Sequence, residues 1–428
     1  MATVGSFLRW VGREPRHFAV HSPVDLPFGD VPFDPEYFRP PLKTRLLVLQ
    51  PTPFCNIDCD YCYLPDRRST AQMSVATMRT AARRLLDDGL VGPTLTVVWH
   101  AGEPLVLPPA YYDEAMLALG DVLKDHCHVS HSMQTNATLI DDAWCRLFTR
   151  HDVRVGVSVD GPAALHDAHR KTRSGGGTHA RVLRGMRCLR QHGVAFHAIA
   201  VVTPATFTEA DAFLDFFEAQ GVREVGCNFD ETEGVHASSS LVGGESAHAA
   251  FLARLLERTT APDARVHVRE LAVAHRLITE PSQPYRWNDR EWPDNPQVIP
   301  FALVSVAHNG EFSTFSPELL GQRSVEYADF SFGNVAEIGY FASARGERFR
   351  RVWTAIVRGI VRCERTCAHF SFCGGGAPAN KLYENDSFDS GETLYCRTML
   401  KRPFDAVLEW LETAGHPNEV FTPADRSD

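Results

Sequence analysis

The chain has 428 residues, a formal net charge of −10, 44% hydrophobic residues and 22% charged residues. This length is enough for two or three domains, or for one large barrel with additional segments. The acidic balance argues against a nucleic-acid-binding protein, which would normally be basic. The sequence has no run of 18 apolar residues and no secretory signal, so we expect a cytoplasmic protein without a membrane span.

The eleven cysteines indicate metal or redox chemistry. Without an export signal they do not suggest a disulfide framework. Cys127, Cys145, Cys188 and Cys227 lie in or beside apolar segments, where we expect buried small hydrophobic side chains. The other seven form two groups, one in a loop near the start and one near the end of the chain.

Residues 1–43 contain seven prolines and predict an extended N-terminal arm. From residue 44 onward, short apolar strands alternate with helices. One helix is expected from Ser74, an N-cap residue, to Gly89, and another is opened by the acids of "DDAWCRLFTRH". The predicted strands are "RLLVLQ", "TLTVVWH", "VSHSMQTN", "VRVGVSVD", "AFHAIAVV" and "EVGCNF".

Six strand–helix units predict a parallel α/β sheet. They are too few to close an eight-stranded barrel, so the expected fold is a partial (β/α)6 TIM-like barrel over residues 44–262. In such folds the chemistry lies on loops at the C-terminal ends of the strands. Residues 263–428 are richer in proline and loops, and predict a linker followed by a smaller C-terminal domain.

The first cysteine group lies in "CNIDCDYCYL", where Cys55, Cys59 and Cys62 follow a C-x3-C-x2-C spacing. Three thiolates in one loop suit a four-iron cluster with one iron left open. The spacing alone also allows a zinc site completed by a remote Cys or His. The motif, with Tyr61 before its third cysteine, resembles the signature of radical S-adenosylmethionine (SAM) enzymes. That resemblance implies a SAM-binding [4Fe-4S] cluster whose reduction yields a 5′-deoxyadenosyl radical, with Tyr61 at the SAM site.

The later strand-end loops fit the same resemblance. "AGEP" is similar to the family's Gly-Gly-Glu-Pro loop, with Ala101 in place of the first glycine. His100 borders this loop and is the histidine most relevant to the site. The resemblance, which covers residues 44–235, implies that SAM's ammonium meets Gly102 and Glu103, that its polar groups, including the ribose, meet Asn136 and Ser158, and that its carboxylate pairs with Arg170.

The second group, Cys363, Cys367, Cys373 and Cys396, supplies the four thiolates of a closed site. A zinc module with four cysteine ligands is one possibility on spacing alone. The segment resembles the SPASM domain of radical SAM peptide-modifying enzymes, which usually carries two auxiliary clusters. Phe315 and Ala377 stand where ligands of the first auxiliary cluster are expected. The resemblance therefore implies one auxiliary [4Fe-4S] cluster, held by these four cysteines.

Most of residues 44–400 resembles one branch, the cyclophane-forming radical SAM/SPASM maturases of glycine-rich-repeat precursor peptides. The similar stretches are "QPTPFCNIDCDYCYLPDR", "FSTFSPELLG" and "CGGGAPANKLYEN". The resemblance implies a precursor peptide substrate, an electron donor of the flavodoxin or ferredoxin type, and carbon–carbon crosslinks between an aromatic ring and a nearby Cβ. Glu318 is the first candidate for the base that takes the ring proton, and Asp230 and Glu231 are the second.

Three other functions stay open from the sequence. A formylglycine-forming sulfatase maturase shares the fold and the SAM loops, but normally keeps both auxiliary clusters. A thioether-forming peptide maturase is a further alternative within the enzymes. A non-catalytic metal-binding scaffold for a peptide is the alternative from another class.

Overall fold

The computed structural model describes residues 31–280 and 283–414, so most of the predicted N-terminal arm lies outside the described residues. The fold is built on a ten-stranded sheet. Its first six strands along the chain are all parallel and are the six that the sequence predicts. They are β1 Thr44–Leu49, β2 Val91–Trp99, β3 His128–Thr135, β4 Arg154–Ser158, β5 Phe196–Val202 and β6 Glu224–Phe229.

Helices make every crossover between these strands, which confirms the α/β prediction. The Ser74 hydroxyl accepts a hydrogen bond from the Thr77 amide and caps the first helix, as expected. Asp141 caps the third in the same way through the amides of Ala143 and Trp144. The main crossover helices are α1 Val75–Asp87, α2 Pro109–Leu123, α3 Asp142–Arg150, α4 His179–Gln191 and α5 Ala210–Ala219, with short helices at Ala163–His169 and Pro204–Phe207.

The sheet continues beyond the six predicted strands at both edges. After α6 (Glu245–Thr259), the short β7 (His267–Val268) pairs parallel to β6 and leads into α7 (Arg269–Thr279). At the other edge β8 (Leu303–Val306) pairs parallel to β1. The antiparallel strands β9 Glu311–Thr314 and β10 Gly333–Asn334 follow β8. Within the described residues β7 and β10 form the two edges, so the barrel is open.

Helices and short strands form the rest of the C-terminal half. The long helix α8 (Glu347–Thr366) buries an apolar face that includes Trp353. Phe315 is fully buried there and stacks on Trp353, with ring centroids 6.1 Å apart. No helix in the described ranges has both the length and the apolar character needed to cross a membrane. The remaining elements include α9 Pro378–Asn385, α10 Arg402–Ala414, and a small sheet of Phe38–Arg39, Tyr285–Trp287 and Arg290–Trp292.

Candidate active site

A cavity of about 280 Å³ opens at the C-terminal ends of the parallel strands. The sequence predicts the chemistry at this end of the sheet. Every predicted site residue of the barrel lines the cavity, together with Glu318 from the C-terminal half. These residues are Cys55, Cys59, Tyr61, Cys62, Gly102, Glu103, Asn136, Ser158, Arg170, Asp230, Glu231 and Glu318.

The three-cysteine loop is held in place by a strand more than a hundred residues later. Ile57–Cys59 pairs antiparallel with Arg170–Thr172, so that Cys59 lies opposite Arg170. The guanidinium of Arg173 donates two hydrogen bonds to the Cys55 carbonyl, at 2.9 and 2.6 Å. Burial raises the pKa of the Cys55 thiol to about 12 and that of Cys59 to about 11. These thiols therefore need a bound cation to lose their protons, which fits a metal cluster.

Arg170 is already engaged on one side by Asp160. Its Nε and Nη2 each donate to an Asp160 oxygen at 3.0 Å, and both side chains are buried. The Tyr61 hydroxyl donates to the same carboxylate at 2.5 Å. This buried network fixes the Arg170 guanidinium at the cavity wall, and Nη1 is the nitrogen outside the bidentate pair. A contact between Arg170 and the carboxylate of SAM stays a prediction.

The Glu103 carboxylate is hydrogen-bonded to neighbouring groups of the protein. Its carboxylate accepts hydrogen bonds from the Leu105 amide at 3.0 Å, from the Thr135 hydroxyl at 2.6 Å and from the Asn136 amide at 2.7 Å. Burial raises the pKa of Glu103 to about 7, and the three donors oppose that rise. The side chain thus joins the loops after β2 and β3. A contact between Glu103 and SAM stays a prediction.

The "AGEP" loop has left-handed backbone at two successive residues. Ala101 has φ = 72° and Gly102 has φ = 58°. A Cβ on Gly102 would lie 2.5 Å from the carbonyl oxygens of both Thr52 and Phe54. Only glycine fits this close approach to the segment that leads into Cys55. Ala101 tolerates its position at the cost of a strained φ.

Asn136 and Ser158 both line the cavity, and both are hydrogen-bonded. The Asn136 amide donates to the side chain of Asn56 at 2.8 Å, and its nitrogen lies 3.9 Å from the Cys55 sulfur. The Ser158 hydroxyl accepts from Gln134 at 2.8 Å. Asn136 therefore positions the cysteine loop, while Gln134 and Ser158 form a polar pair on adjacent strands.

Acidic side chains line the side of the cavity next to β6. Asp230 is tied down, since its carboxylate accepts from His236 at 2.9 Å and from Ser240 at 2.6 and 2.7 Å. Burial raises the pKa of Glu231 to about 8, and Asn380 donates to its carboxylate. Burial also raises the pKa of Glu318. Within the described residues, no other residue's side chain donates a hydrogen bond to the Glu318 carboxylate.

The four C-terminal cysteines lie together around α8 and the short helix Phe370–Cys373. Cys363 and Cys396 are buried. Burial raises the pKa of Cys373 to about 12, and the sulfurs of the other three are near enough to add to that rise. Lys381 donates to the Cys363 sulfur at 3.2 Å. In the part of the chain that the structure describes, no three of these four sulfurs lie mutually within 4.8 Å.

The structure adds residues that the sequence reasoning did not select. Asp160 is one, although it ends the predicted strand "VRVGVSVD", and Gln134 within "VSHSMQTN" is another. Glu233 also lines the cavity, and burial with the nearby Glu318 and Glu231 raises its pKa well above the usual range. His100 lines the cavity as expected, and burial lowers its pKa to about 4.

Comparisons with known proteins agree with this site. The family description "Radical SAM superfamily" matches residues 49–217. An uncharacterized protein of Synechocystis is 38% identical over 376 residues, covering 86% of this chain and 92% of that protein. A serine-type anaerobic sulfatase-maturating enzyme of Klebsiella aerogenes is 36% identical, covering 43% of this chain and 46% of that protein. The solved structure of anSMEcpe with bound AdoMet and Cp18Cys peptide has a TM-score of 0.70 at 18% identity, covering 87% of this chain and 98% of that one.

The chain belongs to the radical SAM superfamily. Its matched region contains the three-cysteine loop and the crossover helices α1 to α4, and ends within α5. The solved structure, at 18% identity, supports the fold alone. Membership makes the chain a radical SAM enzyme, with SAM and a [4Fe-4S] cluster as its cofactors, and excludes the non-catalytic scaffold.

Proposed function

We propose that this enzyme modifies a ribosomally made precursor peptide, forming carbon–carbon crosslinks between an aromatic ring and the Cβ of a nearby residue. One observation carries the proposal: Glu318 lines the same cavity as the three cysteines of the SAM-cluster motif. Closing such a ring removes a proton from the aromatic carbon, so the site needs a base within reach of the substrate. Sulfatase-maturating enzymes among the relatives, and a solved neighbour with a bound peptide, support a peptide or protein substrate.

The barrel residues fit SAM and its cluster by the chemistry of their donors. Cys55, Cys59 and Cys62 would hold three irons, and Nη1 of Arg170 would meet SAM's carboxylate. When bound, this pair supplies a 5′-deoxyadenosyl radical that removes a hydrogen atom from a substrate Cβ. The chain's own part is to orient these groups through Asp160, whose carboxylate holds Arg170 and Tyr61 in place.

Among the three candidate bases, Glu318 is the most available. Asp230 already accepts three hydrogen bonds, and Glu231 accepts one from Asn380. A base with a raised pKa is a stronger proton acceptor once it is ionised. In this proposal the ring proton passes to the carboxylate of Glu318.

We also propose that Cys363, Cys367, Cys373 and Cys396 hold one auxiliary [4Fe-4S] cluster, in a SPASM-like domain over residues 263–428. Two observations support it. Four sulfurs bound to zinc would lie about 3.8 Å apart, whereas among the described residues no three of these four sulfurs lie mutually within 4.8 Å. Phe315, which stands where the resemblance implies a ligand of a first auxiliary cluster, is buried and stacks on Trp353. An auxiliary cluster here would accept the electron that leaves when the ring regains aromaticity.

The test is co-expression with a precursor peptide encoded beside this gene, followed by mass spectrometry. Each crosslink removes two hydrogens, and fragmentation places the link. Glu318→Gln should still form 5′-deoxyadenosine but lose crosslinking by about 10²-fold or more. The exposed Glu326→Gln is the matched control and should crosslink normally. Unchanged crosslinking in Glu318→Gln would remove Glu318 as the base.

The second candidate is a sulfatase maturase, favoured by the 36% identity to the Klebsiella enzyme. Its product, formylglycine, is an aldehyde that reacts with a hydrazide probe, whereas a crosslinked ring does not. A hydrazide-reactive product without a crosslink would therefore replace the present proposal. A thioether-forming maturase would be revealed by a link to a cysteine sulfur in the fragmentation pattern.

A further inference from the structure

A third group of side chains that can bind metal lies on the crossover helices α3 and α4. Asp142 and Cys145 are three residues apart on α3, and Cys188 on α4 is four residues before His192. These spacings place each pair on one face of its helix. None of the four lines the cavity. Packing alone does not explain why Asp142 and His192 lie beside Cys145 and Cys188.

Three residues of this group, Cys145, Cys188 and His192, bring their ligand atoms close together. The two sulfurs are 3.6 Å apart, the Cys188 sulfur is 3.6 Å from Asp142 Oδ1, and His192 Nε2 is 3.0 Å from the same oxygen. Ligand atoms of the two cysteines and His192 all lie within 4.8 Å of one another. Zinc–sulfur bonds of about 2.3 Å in a tetrahedral site place two sulfurs about 3.8 Å apart. The cluster therefore has the size of a site for one zinc ion.

We propose that Cys145, Cys188 and His192 bind one zinc ion that clamps α3 to α4, with Asp142 beside them as a hydrogen-bond partner of Cys188 and His192. Two thiolates and an imidazole select zinc over the hard cations magnesium and calcium. Cys145 is buried while His192 is exposed, so the ion has an entry path from solvent. The clamp is separate from the cavity and is independent of the reaction proposed above.

The test uses the holoenzyme, reconstituted anaerobically so that its iron–sulfur sites are filled. The protein is incubated with zinc chloride, desalted, and analysed for zinc and iron per chain. We expect about one retained zinc in the wild type. Cys188→Ala and His192→Ala should retain less than about a tenth of that zinc at unchanged iron content. Cys127→Ala, a matched cysteine outside the group, should behave as the wild type.

A second measurement distinguishes a clamp from adventitious binding. Zinc should raise the thermal midpoint of the wild type and leave that of His192→Ala, an exposed position, unchanged. Equal zinc retention in the wild type and both variants would overturn the proposal. The proposal would also be overturned if the anaerobic wild type lacked two titratable thiols and Cys188→Ala showed no such loss. The two sulfurs would then form a disulfide.

Discussion

Gly102→Ala tests whether the "AGEP" loop requires glycine because of its left-handed backbone or because an added Cβ would collide with neighbouring atoms. The added Cβ would lie 2.5 Å from two carbonyl oxygens, about 0.8 Å inside the closest ordinary carbon–oxygen approach of about 3.3 Å. Those oxygens belong to Thr52 and Phe54, and the next residue is Cys55. Relief of the collision must therefore move the cluster loop. Overpacking costs about 1–3 kcal/mol, and a left-handed alanine adds about 1–2 kcal/mol.

Gly89→Ala is the matched control, because Gly89 has φ = 64° but nothing within 4 Å of the added carbon. It carries the φ strain alone, so we expect a loss of about 1 kcal/mol in the free energy of unfolding and normal activity. In Gly102→Ala the displaced loop should lower the rate of 5′-deoxyadenosine formation about 10²-fold. The assay is anaerobic turnover with dithionite, with iron content measured in parallel. Equal activity in the two variants would refute the steric argument.

Two further predictions concern buried charge. Asp160→Asn leaves the Arg170 guanidinium buried without its ion pair, so the free energy of unfolding should fall by about 3–5 kcal/mol. In the control Asp113→Asn the arginine partner is largely exposed, and the free energy of unfolding should fall by less than about 1 kcal/mol. Similar losses in the two variants, measured by thermal or denaturant unfolding, would contradict the burial argument. Glu233 has a raised pKa in the folded state, so its stabilising contribution is present below its unfolded pKa and is lost as the pH rises through the folded value. The stability of Glu233→Gln relative to the wild type should therefore increase from pH 5 to pH 9, whereas the exposed Glu114→Gln should show no such trend.

Periodicity and end signals predicted the six strands, the crossover helices and the convergence of the loops, because each depends on local sequence and on the fixed geometry of a parallel sheet. The position of β8 beside β1 could not be predicted in this way. Its four residues, Leu303–Val306, are buried and mostly apolar, but nothing local encodes the partner strand. Pairing across more than 250 residues is decided by the packing of the whole domain.

In the site, too, some residues could be predicted from local sequence and others only from the folded structure. Cys55, Cys59 and Cys62 follow from their spacing, but Asp160 gains its role only from Arg170 and Tyr61, which other loops bring to it. Glu233 lies in the same acidic loop as Glu231, and only the loop conformation determines that it too faces the cavity. Motifs identify residues that bind a cofactor. They do not identify the neighbours that orient those residues.

The pairing of Ile57–Cys59 with Arg170–Thr172 has a consequence for biosynthesis. During translation the three cysteines leave the ribosome more than a hundred residues before the strand and the Arg173 guanidinium that shape their loop. Until that later segment has folded, the cysteine loop lacks the strand that pairs with it and the guanidinium that holds the Cys55 carbonyl. Delivery of iron and sulfide to this loop should therefore follow folding of the first four strands, and a chain released before residue 173 should accept no stable cluster.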